Sequence, residues 1–557
     1  MRFRAALAAA ALAAALLAGC QPGRPAAIGT PDGDQLCVGW LRKGAQVTCY
    51  VPLTAEQASH RRHAKLTFRG GKAVRLVYLN GAGGVATDDT EDAGFDVTYE
   101  ADRETKRWFD RWGRTTTLSV YLSRGRWERR TAWGTPKRDR KTDPYVHVQT
   151  DDANGFVASD KLVDESGRPA AKDGVCESRY VHDAAGHVLE TRHFDVDGRA
   201  VVNASGFHRV VDRVNALGCV EERTSYDVEG RLAGGMQGVP RGLRTCDSWG
   251  SVVAMRFVDE RGAPLINAQG IHGWNDVLDT HGALSMRTTV GVDGKPAPVN
   301  GQESIRREKV DARGYAVEVS YFDRNGAPFV LSSHNSGVRF VRAPNGAALA
   351  AQYVDANGAL VKVETGYAAS RSTFDSRGLV TMTAFFDVNG APTNRTAGAY
   401  IDNTYDEHDL LASVATRGAD GRAMVSHRGF AKVVYSRDDE GHIVSRLHYD
   451  AEGNFVQIPG LRTMVISYVG TSGTRPSSIT REQADGRAKD AIRRLSRKEP
   501  WLPIAKQLSE SSSDEPTFGG KDSWYPPVWE AATKLRAGDP PVLIDTERGF
   551  MIVERVE

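Results

Sequence analysis

Neither sign of charge dominates this chain. Its 72 Lys and Arg face 70 Asp and Glu, a net of +2 over 557 residues, so no global field draws it toward nucleic acid. The common enzyme signatures are also missing. There is no Gly-x-Ser-x-Gly elbow, no phosphate-cradling glycine loop and no Cys-x-x-Cys, which removes the usual sequence grounds for serine hydrolysis, nucleotide binding or dithiol redox chemistry. His60-x-x-His63 is a metal-like pair without further ligands and reads as a surface pair; no metal and no cofactor is expected. Beyond the first twenty residues no apolar run is long enough to cross a bilayer as a helix. Cysteine is scarce, at six residues.

What is present begins at the N-terminus. Arg2 and Arg4 precede an apolar run over residues 5–18, too short to span a membrane and fitted to the central region of a signal peptide. The run ends Leu17-Ala18-Gly19-Cys20, which resembles the lipobox of bacterial lipoproteins. The resemblance implies cleavage after residue 19, acylation of Cys20 (palmitate among the chains) and a stable lipid anchor. Gln21, where an Asp often signals inner-membrane retention, favours the outer membrane. The expected location is the periplasmic face of the cell outer membrane.

Length alone suggests three or four domains, but a repeat overrides that arithmetic. Over residues 151–456 two series of turn glycines keep phase. The first is Gly155, Gly186, Gly218, Gly250, Gly282, Gly314, Gly346, Gly378, then Asp409 in the glycine place, then Gly441. The second follows twelve residues behind, from Gly167 to Gly453. The steps are 31 or 32 residues, giving ten copies. Each turn reads Asp-x-x-Gly: the acid accepts from backbone N–H groups ahead of it and the glycine takes a positive φ. In the first series only Ala343 lacks a side chain for that role. A further glycine often falls eight residues after the second turn, as at Gly206, Gly270 and Gly398. Between turns the apolar residues alternate, as in 252–257 and 316–321, which predicts strands.

One such unit cannot bury its apolar face; stacked units can. The expected fold is mainly β, an elongated array of stacked β-hairpin repeats, with a small α+β domain after it. The Tyr/Phe-Asp-x-x-Gly turns, such as Phe194-Asp195 and Tyr449-Asp450, resemble the YD-type repeats of bacterial surface and periplasmic proteins. The aspartate rows are read as turn residues rather than calcium ligands, because their spacing is that of the turn. Residues 20–150 are less regular. Gly81 and Gly113 again lie 32 apart, which suggests degenerate copies or a capping β region. In an oxidising compartment the cysteines can pair. Cys37 and Cys49 would close a small loop, and Cys219 and Cys246 flank the same kind of turn in adjacent copies, which leaves Cys176 over.

From about residue 463 to the end the pattern turns partly helical. Thr480-x-x-Gln483 predicts a capping box, followed by helical spacing through Leu495. Further helices are expected over 503–508 and 528–535, and strands over 464–469, 542–545 and 550–556. The stretches Ser509-Glu510-Ser511, Phe518-Gly519-Gly520, Glu530-Ala531-Ala532 with Leu535 and Gly538, and Gly549-Phe550-Met551-Ile552 together resemble a parvulin-type peptidyl-prolyl isomerase over about a sixth of the chain. The resemblance implies a site that twists an X-Pro amide, lowering a barrier of roughly 18–20 kcal/mol by binding the rotated form. Its partners would be unfolded or proline-containing protein segments. Carried over by position, the catalytic places fall at Tyr468, Ser511 and Met551, and the substrate-binding places at Val528, Phe550, Trp524 and Trp529. The departures are substantial. Tyr468 and Met551 stand where the family has histidine, Ser511 where it has Cys or Asp, and Val528 where it has Phe. Two functions stay open: an envelope isomerase or folding helper carried on the array, or a non-catalytic binding scaffold with a degenerate domain. The sequence names no partner for the array.

Overall fold

The structure, a computed structural model, describes residues 32–556 apart from 45, 123–124, 139–142, 236–237, 470, 472–478 and 510–515. The expected signal segment 1–19, Cys20 and Ser511 lie outside the described residues.

Every repeat starts from the same local chemistry. At Asp247 the carboxylate accepts from the N–H of Trp249 at 2.9 Å and of Ser251 at 2.8 Å, while Gly250 N–H donates to the Asp247 carbonyl at 3.1 Å. Gly250 sits at φ +83°, a conformation that a side chain strains. Where the pattern lapses the geometry persists. Asp409 adopts φ +62° in the glycine place, and His334 adopts φ +72° eight residues after Gly326. At Ala343 the backbone turn bond remains at 2.9 Å, and Asn345 supplies the missing side-chain acceptor to Ala347 N–H at 3.1 Å.

The hairpins join into one 29-stranded antiparallel sheet. Successive strands pair in chain order, except that Gly33–Lys43 pairs with both Gln46–Pro52 and His63–Arg69. Beside the first-series turns the register slips by one residue, at Val181/His182, Arg213/Val214, Thr245/Cys246 and on to Ser436/Arg437. A bulge bends its strand and increases twist. Repeated at one edge, it curls the whole strip.

The curl brings residues hundreds of places apart into contact. Gly44 N–H donates to Gly155 O at 2.7 Å. Arg61 reaches Trp249 O at 2.6 Å, and Asn80 reaches Arg313 O at 2.8 Å. Trp112 packs on Phe374 with centroids 5.2 Å apart. Trp133 donates to Asp439 O at 2.9 Å and stacks on His408. The first nine strands, from Gly33 to Asp151, thus lay one edge along the full row of first-series turns.

The strip is therefore a widening spiral. Its first winding closes over nine strands, where Lys43 bridges Phe156. The second takes eighteen, from Val157–Val163 to Lys432–Arg437, before His442 meets Arg138 O at 3.1 Å. About eight strands make a ring that side chains fill, whereas about sixteen to eighteen leave a bore. The first winding is filled accordingly: Cys37, Leu66, Phe68, Leu76 and Phe95 are all buried to 2 % exposure or less. Trp40 and Arg42 of that winding share a cavity wall with His182, Asp212 and Arg223 of the second, so the core-facing side of the sheet continues into the array.

After Val456 a separate four-stranded sheet forms, ordered Thr517–Phe518, Gly460–Ile466, Gly549–Arg555, Val542–Thr546. The helices Arg481–Ser496 and Trp501–Leu508 cover one face and Pro526–Lys534 the other. The first of these starts at the Thr480 capping box. The two-residue strand Thr517–Phe518 between the second and third helices had no signal in the periodicity; it is too short to show alternation.

Candidate functional site

Two places in the C-terminal region collect chemistry-bearing side chains. The first is the small sheet itself. Register sets Val465 opposite Met551 and Ile466 opposite Phe550. Odd and even residues of these strands therefore face opposite layers. Met551 lies on the layer with Val528, Leu461, Ala532 and Val553, and Trp524 packs against that group. Tyr468 and Phe550 lie on the other layer, with Met464, Ile466 and the long helix, their rings 5.7 Å apart. The six expected site residues that are described thus do not form one pocket. Met551, Val528 and Trp524 come together; Tyr468 and Phe550 are separated from them by the thickness of the sheet. Trp529 is half-buried on Pro526–Lys534.

Two of the described polar groups on this side of the domain are committed to the backbone. Ser509 Oγ donates to Val465 O at 3.1 Å and accepts from Val465 N–H at 2.9 Å. Trp524 Nε1–H donates to Gly519 O at 2.9 Å. Val528 is 1 % exposed and Met551 7 %. These two residues fill the domain's own core and leave almost no surface for a proline ring.

The second place is a cavity of about 540 Å³ where the last two repeats meet the segment 516–518, a size ordinary for a small-ligand site. Ile401, Val414, Phe430, Val433 and Phe518 give it apolar walls, and Arg395, Arg428 and Arg446 are among its described lining residues. The Arg395 guanidinium lies 4.0 Å from the centroid of Phe385, and its Nε is buried without a hydrogen-bond partner. Burial lowers the Arg395 pKa, partly offset by Tyr367. The Arg446 guanidinium lies 4.5 Å from the Phe518 centroid. His448 is enclosed by Phe430 and Phe518; burial first, then Arg446, pushes its pKa down to about 4, so it is a neutral ring at neutral pH. Beside the cavity, Gly520 N–H donates to Arg428 O at 2.7 Å and the Ser523 hydroxyl donates to His427 O at 2.9 Å. No single copy announces these arginines. Their convergence becomes visible only when several copies are aligned and stacked.

Both cysteine pairs named from the sequence are within bonding reach and bridged, Cys37 to Cys49 with Cα atoms 5.7 Å apart and Cys219 to Cys246 at 6.5 Å. Cys176 is a buried free thiol, its pKa raised by burial. Among the described residues no group of three or more His, Cys, Asp or Glu gathers as a metal site, and no helix is long and apolar enough to cross a membrane.

No protein-family model and no curated protein matches the chain. Among solved structures it is similar to the Photorhabdus luminescens Tc holotoxin pore carrying the TccC3-D651A mutation, at 14% identity and a TM-score of 0.27. It is also similar to the TcdB2-TccC3-Cdc42 assembly, at 12% identity and 0.26. Each alignment covers 74% of this chain and 22% of the other, so the chain spans less than a quarter of their length.

Proposed function

We propose that the chain is a lipid-anchored cell-envelope binding scaffold, in which the coiled repeat array carries a parvulin-like domain that binds polypeptide without isomerising it efficiently. The observation behind this reading is the burial of Val528 and Met551. A rotamase needs an open apolar seat for the proline ring and polar groups beside the turning carbonyl. Here the seat residues are core residues, Met551 has no ionisable group, and Tyr468 stands on the far layer.

The test is an NMR-exchange assay of X-Pro isomerisation with the full chain. Uncatalysed exchange takes roughly tens of seconds, so modest catalysis is measurable. No acceleration is expected. Acceleration that weakens in Val528→Ala while the small domain keeps its amide protection would instead establish the isomerase reading. That reading keeps one support, the ordered Gly519-Gly520 and Gly549-Phe550 stretches. The lipid anchor is tested separately: the mature protein should carry acyl mass on Cys20, and Cys20→Ala should release it from the membrane fraction.

A further inference from the structure

The turn between Phe518 and the helix Pro526–Lys534 carries two sets of contacts on neighbouring residues. It holds one short helical turn, Lys521–Ser523, closed by Ser523 N–H to Gly520 O at 3.0 Å. On its inner side it lays Trp524 on the apolar layer of Leu461, Val528, Met551 and Val553, with the indole N–H tied back to Gly519 O at 2.9 Å. On its outer side it is clasped by the last repeat, through Gly520 N–H to Arg428 O at 2.7 Å and the Ser523 hydroxyl to His427 O at 2.9 Å. Two glycines let the backbones meet. A side-chain carbon on Gly429 would stand 3.2 Å from the Gly520 Cα, and one on Gly520 3.1 Å from the Gly429 Cα. Gly429 also holds φ +84°. Such bonds exchange with water at small net cost, so a clasp of backbone edges can part without unpacking either core.

We infer that the last repeat clasps Trp524 shut over a polypeptide-binding layer, and that an apolar side chain of an extended client segment takes the place of the indole when the clasp opens, an assignment that rests on the polypeptide-binding reading above. Trp524 is half-buried, with a large apolar body on the layer and a single polar tie, a seat that another aromatic or branched aliphatic side chain can fill. The closed arrangement goes with the burial of Val528 and Met551. Because only the open form accepts a client, the apparent affinity is the intrinsic one reduced by the open fraction. Whatever loosens the contact between residues 427–429 and the turn therefore strengthens binding, and the array regulates the domain it carries.

The probe is dye-labelled α-lactalbumin, reduced and carboxymethylated so that it stays unfolded, titrated with the full chain and followed by anisotropy. Gly429→Val pushes the two backbones apart. Amide exchange over residues 519–525 should quicken while the small sheet keeps its protection, and affinity for the probe should rise about fivefold or more, the gain expected when a minor open form becomes the main one. Ser523→Ala, which removes one bond of the clasp and leaves both glycines in place, should raise affinity less. Trp524→Ala removes the indole itself. It should bind about as tightly as Gly429→Val, and combining the two should add nothing. Quickened exchange without a gain in affinity overturns the assignment and leaves the polypeptide-binding reading standing. Unchanged exchange over 519–525 in both Gly429→Val and Ser523→Ala also overturns it, since the turn is then held by something other than the last repeat. If exchange quickens and neither the native chain nor any variant binds the probe, the assignment and the polypeptide-binding reading fall together.

Discussion

At the level of the single residue, the most informative positions are those that keep a turn while breaking its rule. His334 holds φ +72° with a side chain, a strain of roughly 1–2 kcal/mol for an L-residue. Glycine would remove it and return about 0.5–1 kcal/mol as extra unfolded-state entropy. His334→Gly should therefore stabilise the protein by about 0.5–1 kcal/mol, seen as a higher urea midpoint with unchanged slope. A lower midpoint would mean that the imidazole makes a stabilising contact. Lys106 is the opposite case, fully buried, with its ammonium 4.1 Å from the Trp40 centroid, 4.5 Å from that of Tyr121 and 3.9 Å from Glu104. Burial outweighs Glu104 and brings its pKa down to about 7. The unfolded chain then holds this proton up to about pH 10.5 while the folded one releases it near 7, so stability rises with pH across that interval. Urea midpoints between pH 6.5 and 9 should climb for the native chain and flatten in Lys106→Met. The turn residues were readable because an Asp-x-x-Gly turn is satisfied within five residues. Lys106 was not, because its aromatic cage comes from three other strands.

Elements show where sequence reading stops and why. Hairpins, their period and the Thr480 cap all rest on local rules, and the repeat strands form where the alternation places them, whereas the strand expected over 464–469 runs over Gly460–Ile466 instead. The face of the small sheet does not follow locally. A shift of one residue moves a side chain to the other layer, and Tyr468, two residues beyond the end of the strand Gly460–Ile466, packs on the layer away from Met551. The resemblance supplied an order of residues but not that parity. Between neighbouring hairpins the Cys219–Cys246 bridge spans 27 residues, for which chain entropy gives about 3–4 kcal/mol. Cys219→Ser with Cys246→Ser should lose about that much in urea unfolding, and reductant should have no further effect on this region. A loss below about 1 kcal/mol would show that stacking alone holds these copies.

Across the whole molecule the decisive contacts join residues more than 200 apart, such as His60 to Thr280 and Trp133 to Asp439. No periodicity could foretell them, since they arise from the accumulated bend of many bulges. They form a seam between the narrow and the wide winding. Trp112→Ala removes a ring that lies over Gly378 and Phe374. Amide hydrogen exchange should then quicken at the turns around 345 and 378 while the second-series turns at the opposite edge keep their protection. Uniform loss of protection would mean that the windings unfold as one unit. The spiral also gives the order of the hairpins along the chain a meaning. Because the nine-strand ring comes first in the chain and has a core of its own, it can close before the rest, and each later hairpin can then be laid against a finished edge. Removing one repeat would therefore do more than shorten the protein, as it would in a straight solenoid. Every later hairpin would arrive one place out of step with the template beneath it.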